Sequence, residues 1–339
     1  MKFRDYLVKR SLQIVPTLIG LSILIFYITR VMPGDPIRLY LGLEATPEQV
    51  EYYRHLFGLD KPLYEQYLGY WVSLFGGGSP VISLYTGRNV MTDIISYLPT
   101  TLELVIVSMI FSSIVGIVLG VLCAIYRNKF VDNLLRVVAI AGVSFPRFWI
   151  GIILQLIIGY YLGILPIAGH FRPATTITGF TLLDSLITLD FASFVECIRY
   201  MILPVIALSF SPIAQIMRIV RASVIEELGK PYVATLRAHG FSENILYYKY
   251  LLRQALVVAI TIIGMLFGFF VYGAFEIEVV FGWPGLAWYT VQTALYKDFN
   301  GLVAAVMVIG IIMVVVNYIV DITYSYLDPR IRIRMMEAK

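Results

Sequence analysis

Charge is scarce in this sequence. Lys, Arg, Asp and Glu make up 14% of the 339 residues, 59% are hydrophobic, and the mean hydropathy is +0.81. A soluble domain carries about a quarter charged residues. So few charges cannot cover a water-facing surface, which excludes an ordinary soluble enzyme and makes lipid the solvent for much of the chain. Histidine is sparse too: His55, His170 and His239 are scattered and show no metal-ligand spacing, so no metal site is expected. Only two cysteines occur, Cys123 inside an expected span and Cys197 in an expected loop, which excludes a disulfide framework. The G-x-x-x-x-G-K-[ST], H-E-x-x-H and G-x-S-x-G patterns are absent, so no catalytic residues and no cofactor are expected on this chain. The net charge of +4 is spread over the flanks of apolar runs and does not suggest nucleic acid as a partner.

What is abundant is long apolar sequence. Ser11 to Thr29, Leu104 to Tyr126, Tyr200 to Met217, Gln254 to Phe275 and Asn300 to Val320 carry no charge, and Val137 to Tyr160 carries only Arg147. Each approaches the roughly 20 residues that cross hydrocarbon as a helix. Backbone groups in lipid must be satisfied internally, so these runs predict helices, and the short alternating segments of a β-barrel are missing. The expectation is an all-α integral membrane protein. It is one transmembrane domain, 1–339, with six spans at about 9–30, 100–126, 136–160, 200–222, 254–275 and 300–324. The first run is too long for a signal core and lacks a small-residue cleavage pattern, so it reads as a retained anchor.

Positive charge sorts by side. Lys2, Arg4, Lys9 and Arg10 precede the first span; Arg127, Lys129 and Arg136 lie between the second and third. Arg218, Arg221, Lys230, Arg237, Lys249 and Arg253 surround the connection between the fourth and fifth, and Arg330, Arg332, Arg334 and Lys339 follow the last. By the positive-inside rule both termini are expected in the cytoplasm. The opposite segments, 31–98 and 163–199, are then external. The first should hold its own helices. Thr46-Pro47-Glu48-Gln49 reads as a capping box with proline at the first helical position, Gly58 as a stop, and Asp60 as the cap of a second helix. The second external segment reads as a loop. Trp283-Pro284-Gly285 forces a turn, after which Leu286 to Tyr296 reads as a short interfacial helix.

The cytoplasmic segment 223–250 is polar and basic yet helix-forming on both sides of Gly240. Pro231 to His239 predicts a short helix that stops at Gly240, and Ser242 can cap the next. Such an elbow is either an ordinary connection or a helix that docks in a partner's groove, with Ala234 and Ala238 permitting close approach. At membrane depth the costly charge is Arg147, for which Glu103, Glu276 and Glu278 are the candidate partners. These groups form either a buried structural pair or a contact for a charged solute. Gln155, Asn317 and Asp321 are weaker candidates of the kind that ties helices together.

The elbow carries a resemblance. Arg221-Ala222-Ser223, Leu228-Gly229, Tyr232-Val233 and Arg237-Ala238-His239-Gly240 resemble the cytoplasmic coupling loop of binding-protein-dependent ABC importer permeases. More narrowly, they resemble the B-type subunit of the dipeptide/oligopeptide/nickel family. Pro33-Gly34-Asp35-Pro36, Leu98-Pro99-Thr100-Thr101-Leu102-Glu103-Leu104, Trp283-Pro284-Gly285-Leu286 and Leu327-Asp328-Pro329-Arg330 extend the resemblance over nearly the whole chain. Two positions depart from the pattern: Ala234-Thr235-Leu236 stands where the wider family has Glu-Ala-Ala, and Val258 where a proline enters the fifth span.

The resemblance implies a type I ABC importer permease fold in the plasma membrane. It implies a second homologous permease subunit, two ATP-binding subunits that hold the ATP and Mg, and an extracellular solute-binding protein. Tyr232, Thr235, Arg237, Ala238, Gly240 and Phe241 would form the ATPase-coupling surface. The implied solute is a dipeptide or oligopeptide, with an oligosaccharide or nickel as alternatives. A receptor or scaffold without a transport cycle is the reading from another class.

Overall fold

In the computed structural model the described residues are 3–31, 36–42, 45–77 and 79–327. The segment Pro33-Gly34-Asp35, the ending Asp328-Pro329-Arg330, Glu44 and the terminal basic residues Lys2, Arg332, Arg334 and Lys339 lie outside them. The helices in order are α1 (Phe3–Val31), α2 (Pro36–Leu41), α3 (Pro47–Leu56), α4 (Leu63–Leu74), α5 (Val90–Ile125), α6 (Phe130–Ser144) and α7 (Arg147–Leu154). They continue with α8 (Thr181–Ile187), α9 (Phe191–Leu228), α10 (Pro231–Ala238), α11 (Glu243–Ile245), α12 (Leu252–Phe281), α13 (Leu286–Leu295) and α14 (Phe299–Leu327). π-helical turns, Gln155–Tyr161 and Leu246–Leu251, extend α7 and precede α12. Among the described residues the β-structure is a single bridge between Ile82 and Asn89.

Five helical stretches are long and apolar enough to cross a membrane: Ser11–Val31, Val90–Ile125, Phe191–Leu228, Glu243–Phe281 and Phe299–Val320. The sixth expected span, 136–160, is not one straight helix. Phe145 (ψ 138°) and Pro146 (ψ 140°) are both extended, and α6 and α7 meet there at 110°. Proline disfavours the helical conformation of the residue before it and offers no N–H to continue the ladder. The pair counts as a sixth span only if the bent unit crosses as one.

The helix of the fourth expected span, α9, starts earlier than its apolar run. Asp190 caps it, accepting from Ser193 N at 3.0 Å and Ser193 Oγ at 2.6 Å. Cys197, expected in a loop, is therefore a buried helical residue. At 38 residues α9 is about 57 Å long, well beyond the roughly 30 Å of hydrocarbon.

The chain forms two compact units. One contains Leu102–Trp283 and α14 from Val316 on; the other contains residues up to Thr101 together with Pro284–Val315.

In the first unit α9 packs against α6, α7, α8 and α12. It also approaches α5 closely, at Gly116-x-x-x-Gly120. A Cβ on Gly116 would stand 2.8 Å from Ile216 Cβ, and one on Gly120 would stand 2.7 Å from Val220 Cβ. Small residues four apart let two helix backbones approach this closely, as membrane helices do.

In the second unit Phe26, Tyr70, Val81, Val90, Ile94, Leu286, Tyr289 and Val303 form the core. The Thr46 capping box is present: Thr46 Oγ1 accepts from Gln49 N at 3.3 Å and Gln49 Oε1 accepts from Thr46 N at 3.0 Å. Gly58 follows the helix at φ +64°. Asp60 does not cap α4, whose N-cap is Pro62; its carboxylate is 2.5 Å from His55 Nδ1 instead. The helix expected at the membrane interface, α13, is largely buried, with Leu286, Ala287, Tyr289, Thr290 and Thr293 inside.

Candidate functional site

The elbow is built by backbone chemistry. Gly229 closes α9, and Lys230 is extended (ψ 146°). Pro231 then opens α10 where its missing N–H costs nothing. At the other end Gly240 takes φ +81°. Gly240 N–H donates to Arg237 O at 2.9 Å and Phe241 N–H donates to Leu236 O at 3.3 Å. These two bonds are the Schellman pattern, which satisfies the last carbonyls of a helix through one left-handed residue. Ser242 makes no side-chain cap on α11. Glu243 adds a side-chain support to the turn, receiving Arg237 Nε at 2.8 Å and Nη2 at 3.1 Å.

All six expected coupling residues lie on this one exposed segment. Tyr232 donates its hydroxyl to Glu227 at 2.9 Å; partial burial and that carboxylate push its pKa up to about 12. Thr235 is exposed, its carbonyl 2.8 Å from His239 Nδ1. Ala234 and Ala238 are exposed, and Val233, 1% exposed, is the buried residue of α10. Phe241 is 39% exposed and sets its ring edge-on to Tyr250 at 5.8 Å. Arg237 is held charged by Glu243. The surface is thus a short helical stub with exposed small and aromatic residues, whose one arginine is already paired within the chain.

The membrane-depth charges do not assemble into one site. Arg147, the first residue of α7, donates from Nη1 to Phe269 O at 2.8 Å, with its guanidinium 5.8 Å from the Phe269 ring centre. It fills the space over Gly273, where a Cβ would stand 1.9 Å from Nη1. Glu276 attracts it electrostatically. Glu278 is fully buried. Glu103 is bound elsewhere. Its carboxylate accepts from Thr181 N at 3.0 Å, Thr181 Oγ1 at 2.9 Å and Leu182 N at 2.7 Å, capping α8. A carboxylate over free N–H groups at a helix start is favourable, which explains its position without any arginine. Gln155 ties segments together as its type suggested, donating to Ile167 O at 2.9 Å and Val280 O at 3.0 Å. Among the described residues no three His, Cys, Asp or Glu side chains gather as a metal-binding group.

Sequence reasoning missed two polar clusters. Asp132, 0% exposed, holds Arg221 through two bonds of 2.7 and 2.8 Å. In the other unit Asp298 accepts from Ser83 Oγ at 2.5 Å and Gly301 N at 3.1 Å, and burial raises its pKa. A lone acid among Arg127, Lys129 and Arg136 was the available signal for the first. The second joins residues about 200 apart and left none.

A chain with several bilayer-length apolar helices and an exposed elbow between two of them is a multi-pass membrane component. Comparison with known proteins gives the family. The model described as "Binding-protein-dependent transport system inner membrane component" matches residues 116–333, and the model for the N-terminal part of such components matches residues 3–105. The chain belongs to this family of transport permeases, which are not enzymes. It is 36% identical to the dipeptide transport system permease protein of Alkalihalophilus pseudofirmus over 330 residues, 96% of this chain and 99% of that one. It is 36% identical to a probable D,D-dipeptide transport system permease protein of Escherichia coli over 335 residues, 98% of each chain. It is 33% identical to the glutathione transport system permease protein of Escherichia coli over 328 residues, 97% of this chain and 99% of that one.

Proposed function

We propose that this chain is the B-type permease subunit of an ATP-driven importer of dipeptides and short oligopeptides. Full-length similarity to dipeptide and glutathione permeases supports the solute class. In this reading six spans cross the plasma membrane with both termini in the cytoplasm, as the sorting of Lys and Arg suggests. The permease domain, 1–339, lines the solute path together with a second, related permease, and an external binding protein delivers the solute.

The single observation that carries the coupling role is the exposed helix α10, closed by a left-handed turn at Gly240, at the end of the long helix α9. Two ATPase subunits would each grip one elbow. ATP draws them together, each elbow moves as a rigid body with its groove, and the helices rock between inward- and outward-open states. Tyr232, Thr235, Arg237, Ala238, Gly240 and Phe241 serve as the contact surface. ATP shifts the equilibrium only as far as it binds the two states differently.

The test is reconstitution of the chain with its copurifying subunits, followed by ATP-dependent uptake of labelled dipeptides, tripeptides and oligosaccharides. Peptide uptake that needs ATP supports the reading. Uptake of oligosaccharide alone moves the solute class, and a chain that never copurifies with an ATP-hydrolysing subunit is a scaffold or receptor.

A further inference from the structure

The elbow's motion has to leave α9 somewhere, and one buried contact is placed to carry it. Asp132 lies in the first turn of α6 and is fully buried. Its carboxylate holds three elements at once. Arg221 of α9 donates to it from Nε at 2.7 Å and Nη2 at 2.8 Å. Asn128 N–H, in the connection from α5, donates to Oδ2 at 2.9 Å, with Asn128 itself in the left-handed region at φ +63°. Arg136, one turn further along α6, stands 3.5 Å from Oδ1. A two-pronged guanidinium–carboxylate contact fixes direction as well as distance.

Its position in the chain gives the contact its meaning. Arg221 precedes Leu228, the last residue of α9, by seven positions, about 10 Å of continuous helix. Beyond Leu228 come Gly229, Lys230 and the docking helix α10. On the other side α6 runs from Asp132 to the break at Phe145-Pro146, after which Arg147 opens α7 and bonds α12 through Phe269 O. A displacement of the elbow therefore reaches the broken helix through Arg221 and Asp132 before any other charged contact among the described residues of α6 and α9.

We infer that Asp132 is a positioning residue of the transport cycle: with Arg221 it forms the joint that converts movement of the coupling elbow into movement of α6 about the Pro146 break. This rests on the reading of α10 as the ATPase dock. It differs from a mere structural clamp in one respect. Loss of the joint should uncouple the two activities and leave both components assembled.

The experiment measures solute imported per ATP hydrolysed in the reconstituted full transporter, for the wild-type chain, Asp132→Asn, Arg221→Gln and the double variant. The wild-type chain must copurify with its ATPase subunits and import solute with ATP; if it does not, the docking reading itself falls and takes the joint with it. Given wild-type coupling, each single variant is expected to keep its ATPase subunits and to lower the solute-per-ATP ratio about threefold or more. The double variant should be no worse than the worse single one, because both remove the same contact. A solute-per-ATP ratio equal to wild type in Asp132→Asn, or losses that multiply in the double variant, overturns the inference. Should Asp132→Asn fail to reach the membrane, Arg221→Lys keeps the positive charge and removes the two-pronged contact; it carries the same expectation and the same refutation.

Discussion

Replacing Gly240 tests the elbow most directly, because the structure isolates a single cause. Gly240 holds φ +81°, and a Cβ added there meets nothing within 4 Å. No clash is created, so the whole effect of Gly240→Ala is the backbone cost of placing an L-residue in the left-handed region, about 1–2 kcal/mol. Asn tolerates that region better, and a β-branched residue tolerates it worst. The turn's other support, the Arg237–Glu243 pair, is half-exposed on both sides and contributes less, about 0.2–1 kcal/mol for an exposed pair. The backbone term therefore dominates. A cost of 1–2 kcal/mol lowers the population of the turned elbow about 5- to 30-fold relative to opened forms. If the ATPase subunit grips only the turned form, ATP-dependent dipeptide uptake should fall in the order Gly240, Asn, Ala, Val, with Glu243→Gln milder than Gly240→Ala. The assay is uptake into proteoliposomes at matched amounts of assembled transporter. Wild-type uptake by Gly240→Val would refute the claim that the left-handed turn shapes the dock.

Three further outcomes follow from particular contacts. Gly120→Val should push α5 off α9, since a Cβ already stands 2.9 Å from Met217 O; overpacking of this kind costs about 1–3 kcal/mol, read as a lower midpoint of thermal unfolding in detergent. Gly273→Ala should destabilise because Arg147 Nη1 occupies the space and, on moving away, loses its bond to Phe269 O. Arg147→Ala should recover part of that loss, which a double-mutant cycle on the same midpoint measures, the residual reflecting Leu208 Cδ1 at 2.8 Å.

His170, edge-on to Trp283 at 4.3 Å, has its pKa lowered to about 4 by burial and by Arg172. The unfolded chain then binds the extra proton first. The neutral-ring contribution is complete above about pH 6.5 and is lost as pH falls towards 4, amounting to about 2 kcal/mol by pH 5. His170→Gln should flatten that part of the stability profile, and an unchanged profile in the variant counts against the assignment.

The apolar runs made the membrane helices legible because lipid imposes one simple requirement on twenty consecutive residues. Local capping chemistry was legible where side chain and backbone are neighbours, as at Thr46 and Gln49 or at Gly240. It failed where another nearby side chain outbid the backbone cap: Asp60 goes to His55, five residues back, and Glu243 goes to Arg237, six residues back, while Ser242 makes no cap. Hydropathy also hid two breaks in regularity. Pro146 bends a run whose one charge is Arg147, and Asp190 starts α9 before its apolar stretch begins. Of the candidate site, the elbow could be read because it is contiguous in sequence. The Asp132–Arg221 contact, 89 residues apart, could not.

The commitments of the buried charges bear on how a charged solute would be recognised. A charge at membrane depth is expensive, and redirecting one that already has good partners costs those contacts as well. Glu103 has three donors at the start of α8, and Arg147 has a carbonyl of α12 and a nearby Glu276. These two therefore act first as fasteners between helices of one chain. On the proposed reading, a zwitterionic peptide passing these helices would find both of these charged groups already engaged. In that reading, selection of its termini would fall to the transporter's other subunits and its binding protein. In that division of labour this chain's ionic groups hold and move the helices, with Asp132 at the joint and Arg147 at the bend.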